Sequence, residues 1–264
     1  MSKRQTVDSV ASYSLSRTKT YLENLLGSDD HFTEDQLDKV SPLQALVLEK
    51  ITVPLQRSGT EESMILDIGC GNGKMSRFIQ TFDSGEPGGG WVQSIPMDLS
   101  HKVLSKCRSV YAESTNLLPV VGNAFYLPFK ARSFTGAVFA QVLEFLPSKA
   151  RLLALTEAVR VLKPGGLLFI ISMQGRQHVE YSLDLRHQQE VAMMCEPVKQ
   201  AELFMQLNYL NCQLVKMEGL NAYRTNDFFM ATLRRMDDEQ KRQADKETTS
   251  EEASPQQRRA ALWQ

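Results

Sequence analysis

The stretch LDIGCGNG, from Leu66 to Gly73, sets three glycines at alternate positions directly behind an acid, Asp67. Glycine adopts backbone angles closed to other residues and lets a ligand come against the main chain. The nearly continuous apolar run of Met64, Ile65, Leu66 and Ile68 predicts a buried strand before the glycines. Met75, Phe78 and Ile79 predict a helix after them, so the loop would aim the free N–H groups of a helix start at a ligand. Two ligand classes fall away. A phosphate-cradling loop needs Lys and then Ser or Thr after its last glycine, whereas Lys74-Met75 follows here. The dinucleotide fingerprint spaces its glycines GxGxxG, whereas these run GxGxG. Asp67 is placed to meet a cationic group of the ligand. A second acid, Asp98, stands at the expected end of the next strand, where doubly wound folds hold a ribose hydroxyl. Ser100 could cap the helix that follows.

These residues resemble the motifs of class I S-adenosylmethionine-dependent methyltransferases. Asp67, Gly69, Gly71 and Gly73 match the family's first loop, [DE]xGxGxG, position for position. MDLSHKVLSKC, beginning at Met97, is similar to the second motif with Asp98 on its acid, and VRVLKPGGLLFI, beginning at Val159, is similar to a late one. The resemblance covers about residues 64 to 172 well and the ending more loosely. It implies S-adenosylmethionine as cofactor, and the methyltransferase type 11-like subgroup that acts on small molecules, quinone precursors, lipids or transfer RNA. It further implies cofactor contacts from Asp67, Gly69, Cys70, Gly71 and Gly73 in the loop. Asp98 would serve the ribose and Asn123 and Ala124 the adenine, with Leu99 and Gln141 as further cofactor contacts.

Three positions depart from the family's wording. Asn123 stands for an Asp and keeps a carbonyl acceptor. Thr135 replaces an acid in Ser133-Phe134-Thr135, and Phe145 stands where related sequences often have His. Glu144 is the ionisable group left beside that strand end, and His178 and Tyr181 follow the fifth strand; these three are the catalytic candidates. Arg176 or Arg186 could hold an anionic group, and Tyr223 and Arg224, in the loop Asn221-Ala222-Tyr223-Arg224, could touch substrate. The NPPY-type tetrapeptide of amino-group methyltransferases is absent after the fourth strand, which argues against adenine or glutamine as acceptor.

The elements that must position these residues alternate. Strands are expected at Met64–Ile68, Trp91–Met97, Leu117–Val121, Ala137–Ala140 and Leu167–Ile171, with helices between, one of them from Ser148 to Leu162. Another helix is expected after Glu190, through Val198 and Leu207, before two strands at Asn211–Met217 and Asp227–Leu233. The fold class is α/β, a Rossmann-like doubly wound sheet, mostly parallel, with an antiparallel C-terminal edge hairpin. Four parts follow: a flexible N-terminus (1–12), N-terminal helices on the core (13–60), the methyltransferase domain (61–235) and a disordered polar tail (236–264). In the family such N-terminal helices often cover the ligand, with Tyr13 or Tyr21 able to line the substrate entrance. Residues 83–90, with four glycines and a proline, read as a surface insertion.

At 264 residues, 42% hydrophobic and 23% charged, the chain has globular composition. A net charge of −1 gives no general pull toward nucleic acid. The four cysteines, Cys70, Cys107, Cys195 and Cys212, show no metal-type spacing, so no metal is expected and reduced thiols are. No secretion signal or membrane span is visible, and a cytoplasmic protein is expected. Its partners would be a methyl acceptor and, through the N-terminal helices or the tail, another protein. The competing reading is a non-catalytic, partner-binding relative of the methyltransferases. Asn123, Thr135 and Phe145 favour it; Asp67, the glycines and Asp98 oppose it.

Overall fold

Alternation of side chains along the central strands decides how the molecule is layered. In the computed structural model, residues 19–20, 23, 42–56, 62–82, 91–111, 117–173, 195–221, 228–237 and 239 are described. The expectations for Tyr13, Tyr21, residues 83–90, Arg176, His178, Tyr181, Arg186, Tyr223, Arg224 and nearly all of the tail lie outside them.

Pro42–Gln56 forms helix α1, Glu62–Ile68 strand β1, Lys74–Thr81 helix α2, Trp91–Asp98 strand β2 and His101–Tyr111 helix α3. Val120–Val121 (β3) and Phe134–Ala140 (β4) follow, then helix α4 at Ser148–Val161 and strand β5 at Leu162–Met173. Helix α5 (Gln200–Leu207) and strands β6 (Cys212–Leu220) and β7 (Phe228–Arg235) close the described chain. The seven strands run in the order β3-β2-β1-β4-β5-β7-β6. The first five pair in parallel, and β7 lies antiparallel between β5 and β6. This is the mixed Rossmann-like sheet expected from the sequence.

Period-two alternation sorts the core onto two faces. Leu66, Ile68, Ala137, Phe139, Leu168 and Ile170 meet Ala154, Leu155 and Ala158 of α4 and Leu203 and Leu207 of α5. Ile65, Val138, Phe169 and Ile171 point the other way, to Val47, Ile51 and Leu55 of α1 and Met75 and Ile79 of α2. β1, β4 and β5 are buried on both faces, which accounts for their unbroken apolar runs.

Several boundaries differ from expectation. β3 keeps only Val120 and Val121, because Pro119 offers no N–H to extend the ladder. β5 begins five residues early, at Leu162, yet the chain still turns at Lys163-Pro164-Gly165-Gly166, where Gly165 has φ 77° and the pairing with β4 jumps from Leu162 to Leu167. Gly166 permits this: a Cβ on it would stand 2.9 Å from the Lys163 carbonyl and 3.1 Å from that of Thr135. The last helix starts at Gln200, and Cys195–Lys199 stay outside it. Pro197 disfavours helical angles at Glu196 and forces the later start. Among the described residues, no helix is long and apolar enough to cross a membrane.

Candidate cofactor site

The site is assembled where β1 hands the chain to α2 at the carboxyl edge of the sheet. All three loop glycines have positive φ: 76° at Gly69, 57° at Gly71 and 78° at Gly73. Two of them also answer to neighbours. A Cβ on Gly69 would come within 2.7 Å of Val142, just past β4, and one on Gly73 within 2.4 Å of the Cys107 sulfur on α3. The outer glycines let the loop settle between β4 and α3, and Gly71 forms the turn between them.

The end of β2 holds this loop in place. The Met97 carbonyl accepts the N–H groups of Gly69 at 2.7 Å and Cys70 at 3.0 Å. One oxygen of Asp98 accepts the Gly71 N–H at 3.1 Å, and the other accepts that of Ser100 at 2.9 Å. The Asp98 carbonyl takes the Gly122 N–H at 2.9 Å, which brings the third strand's loop to the same corner. Burial pushes the Asp98 pKa up; the amides of Ser100, Gly71 and Leu99 pull it down, and the Glu23 charge adds to the rise. Ser100, as expected, also caps α3, its hydroxyl accepting the Val103 N–H at 3.2 Å.

Asp67 turns toward α2. It is 1% exposed, and its carboxylate accepts the Ser76 hydroxyl of α2 at 2.7 Å. Burial is the main reason its pKa rises to about 6; Ser76 opposes the rise and the charge of Asp98 reinforces it. Asp67, Cys70 and Gly73 are buried behind the loop, whereas Gly69, Gly71, Asp98, Leu99, Asn123, Ala124 and Gln141 keep accessible surface along the carboxyl edge. Any influence of Asp67 on a bound cation therefore acts across the loop.

Asn123 forms a local turn. Its side-chain oxygen accepts the Phe125 N–H at 2.9 Å and its carbonyl accepts that of Tyr126 at 2.9 Å. The side-chain carbonyl that Asn shares with Asp suffices for this turn. Gln141 stands at φ 58°, a left-handed angle that a residue with a Cβ adopts only at a cost of about 1–2 kcal/mol. Its N–H reaches the Ile171 carbonyl at 2.8 Å, fixing the strained corner between β4 and β5.

Thr135 lies at the amino end of β4, far from the glycines. Its hydroxyl donates to the Met64 carbonyl at 2.9 Å and accepts the Met64 N–H at 2.8 Å, replacing ladder bonds beside a register shift. Glu144 is buried, and its carboxylate accepts the Met173 N–H at 2.6 Å, tying the end of β4 to the end of β5. Burial raises its pKa, against the pull of that N–H. Arg151 steadies the same corner through the carbonyls of Leu143 and Glu196. Phe145 packs into the apolar face under α1.

All four cysteines are free thiols. Burial pushes the thiols of Cys107, Cys195 and Cys212 up to about 12 and that of Cys70 well above its ordinary value, so none offers a thiolate. No cluster able to hold a metal occurs among the described residues. Sequence reasoning missed Ser76, Val142 and Glu23. Ser76 carried a signal: it shares the buried face of α2 with Met75 and Ile79, where a hydroxyl needs a partner.

Residues 66–170 match the family model described as a methyltransferase domain. No curated protein sequence matches the chain. Structural likeness is broad, with 955 solved chains matching, so it identifies the fold and leaves the acceptor open. Geranyl diphosphate C-methyltransferase from Streptomyces coelicolor A3(2), solved with S-adenosyl-L-homocysteine, is 13% identical with a TM-score of 0.56 over 74% of this chain and 81% of that one. A complex of the Haloferax volcanii Trm112 methyltransferase activator contains a chain 16% identical, TM-score 0.55, over 74% of this chain and 94% of that one. The [4+2]-cyclase SpnF is 16% identical with a TM-score of 0.55, over 74% of this chain and 80% of that one. The glycine loop, the Asp98 corner and the first five strands of the sheet thus lie in or beside a segment, residues 66–170, that matches a methyltransferase domain, on a fold shared with solved methyltransferases.

Proposed function

We propose that the chain transfers the methyl group of S-adenosylmethionine to a small molecule or an RNA bound over the carboxyl ends of β4 and β5. The observation that carries this reading is Asp98, a partly accessible carboxylate at the end of β2 that also grips the Gly71 amide. The residues fit the cofactor. Asp98 has oxygen lone pairs for ribose hydroxyls, Gly122 to Ala124 flank it for an adenine edge, and the loop glycines leave backbone exposed. Asp67 adds negative charge behind the loop, suited to a cation.

When bound, S-adenosylmethionine supplies a methyl group already activated by a sulfonium. The protein's share is then to hold donor and acceptor in line and to exclude water. Asp98 and the loop orient the nucleoside end. The strained Gln141 corner and the Glu144–Met173 tie fix the strand ends from which His178 and Tyr181 follow in sequence. A dedicated base is unnecessary for an acceptor that is already nucleophilic, so Phe145 in place of His is compatible with turnover. Asn123 and Thr135 each have local bonding roles, which leaves the non-catalytic reading with less support. A protein partner at the N-terminal helices or the tail and a cytoplasmic location belong to the same proposal. The Trm112-bound neighbour makes a partner worth seeking.

Calorimetry on the full chain tests the reading. S-adenosylmethionine should bind, and Asp98→Ala should weaken it about 10- to 100-fold, the worth of a charged hydrogen bond. No binding at millimolar ligand would sink the proposal. Labelled methyl transfer into fractionated small molecules, lipids, RNA and protein then identifies the acceptor.

A further inference from the structure

Ser100 touches two carboxylates from distant parts of the chain. Its N–H donates to Asp98 at 2.9 Å, and its hydroxyl donates to Glu23 at 2.9 Å, across 77 residues of sequence. Ser100 is 2% exposed, so both contacts are made inside the corner that holds the glycine loop. Glu23 lies near enough for its charge to disfavour ionisation of Asp98. Two carboxylates so placed repel each other, an arrangement that needs donors nearby to offset it. Lys19 approaches Glu23 at 3.8 Å, but its side chain is 41% exposed, and an open pair of this kind offsets little. The vicinal hydroxyls of a ribose would provide two donors at one spot.

We propose that Glu23 is the second carboxylate of the nucleoside site, accepting one ribose hydroxyl while Asp98 accepts the other. This rests on the cofactor assignment above and adds a specificity-determining residue from outside the β1–β5 motifs. It also gives the N-terminal segment a defined role, since Glu23 completes the ribose end of the site once the nucleoside is in place. The competing role is mechanical, with Glu23 only anchoring Ser100 and the start of α3. That role would weaken every ligand alike.

Calorimetry of the full-length protein with S-adenosylhomocysteine and its 2′-deoxy and 3′-deoxy ribose analogues separates the two. In the wild type, loss of the hydroxyl that Glu23 accepts should cost about tenfold in affinity. Glu23→Ala should bind S-adenosylhomocysteine about tenfold more weakly and lose nothing further with that deoxy analogue. Glu23→Gln, which keeps a carbonyl acceptor, should recover part of the affinity, and thermal midpoints should confirm that both variants fold. Wild-type ratios among the three ligands in Glu23→Ala would overturn the contact while leaving the cofactor assignment standing. Failure of the wild type to bind S-adenosylhomocysteine at all would overturn both.

Discussion

Burial of Asp67 against α2 raises its pKa to about 6, from 3.8 in the unfolded chain. Between those values the native protein holds a proton that the unfolded chain has released. The residue's contribution to stability is therefore full below about pH 4 and is lost as pH rises through 6, by at most about 3 kcal/mol. Asp67→Asn keeps an acceptor for Ser76 and removes the charge. Thermal melts at pH 4.5 and 7.5 should show this variant gaining on the wild type as pH rises, while its cofactor affinity falls. A constant offset between the two proteins would contradict the assignment. The glycines divide in a related way. Gly73→Ala forces a Cβ against Cys107 at a left-handed angle, and should destabilise the fold by about 1–3 kcal/mol. Gly71→Val strains the turn that Asp98 holds, and should abolish cofactor binding in a folded protein. Unchanged affinity in that variant would reduce the loop to a turn.

Strand and helix positions in the central sheet were legible because each central strand is an apolar run closed by glycine, proline or an acid. β1 and β2 fall within two residues of expectation at every end. What failed was legible only in three dimensions. Pro119 leaves β3 two residues long, and the early start of β5 depends on Gly166 fitting against Thr135. Within the site, the residue types of the loop and of Asp98 were readable, whereas the inward turn of Asp67 toward Ser76 was not. Thr135 illustrates the limit best. In sequence it counted as a missing acid, and in the sheet it supplies the hydroxyl that closes the ladder between β1 and β4. Thr135→Val should leave both Met64 groups unpaired, at a cost of about 1–3 kcal/mol. It should leave cofactor affinity unchanged, because β4 carries Thr135 at the end remote from the loop. A fall in affinity matching the fall in stability would place Thr135 back in the site.

At the scale of the molecule, one sheet separates two apolar faces, and the candidate site occupies only the carboxyl ends of its parallel half. Strands β6 and β7 run antiparallel and, among the described residues, share no backbone hydrogen bond with the glycine loop or the Asp98 corner. Local protection on binding should therefore be confined to that corner. β1, β4 and β5, buried on both faces, should open only with global unfolding, whereas β3 and β6 lie at the sheet edges among the described residues. Hydrogen exchange on the full chain, with and without S-adenosylhomocysteine, reads this directly. Amides of Gly69 to Gly73, Leu99 to Ser100 and Gly122 to Ala124 should slow on binding, and those of the edge strand β6 should not. Because ligand binding to the native state raises global stability, the slowest β1 and β4 amides should slow as well, by the factor 1 + [L]/Kd. Equal slowing in β6 would mean that the sheet responds as one unit and that the corner is not an independent site.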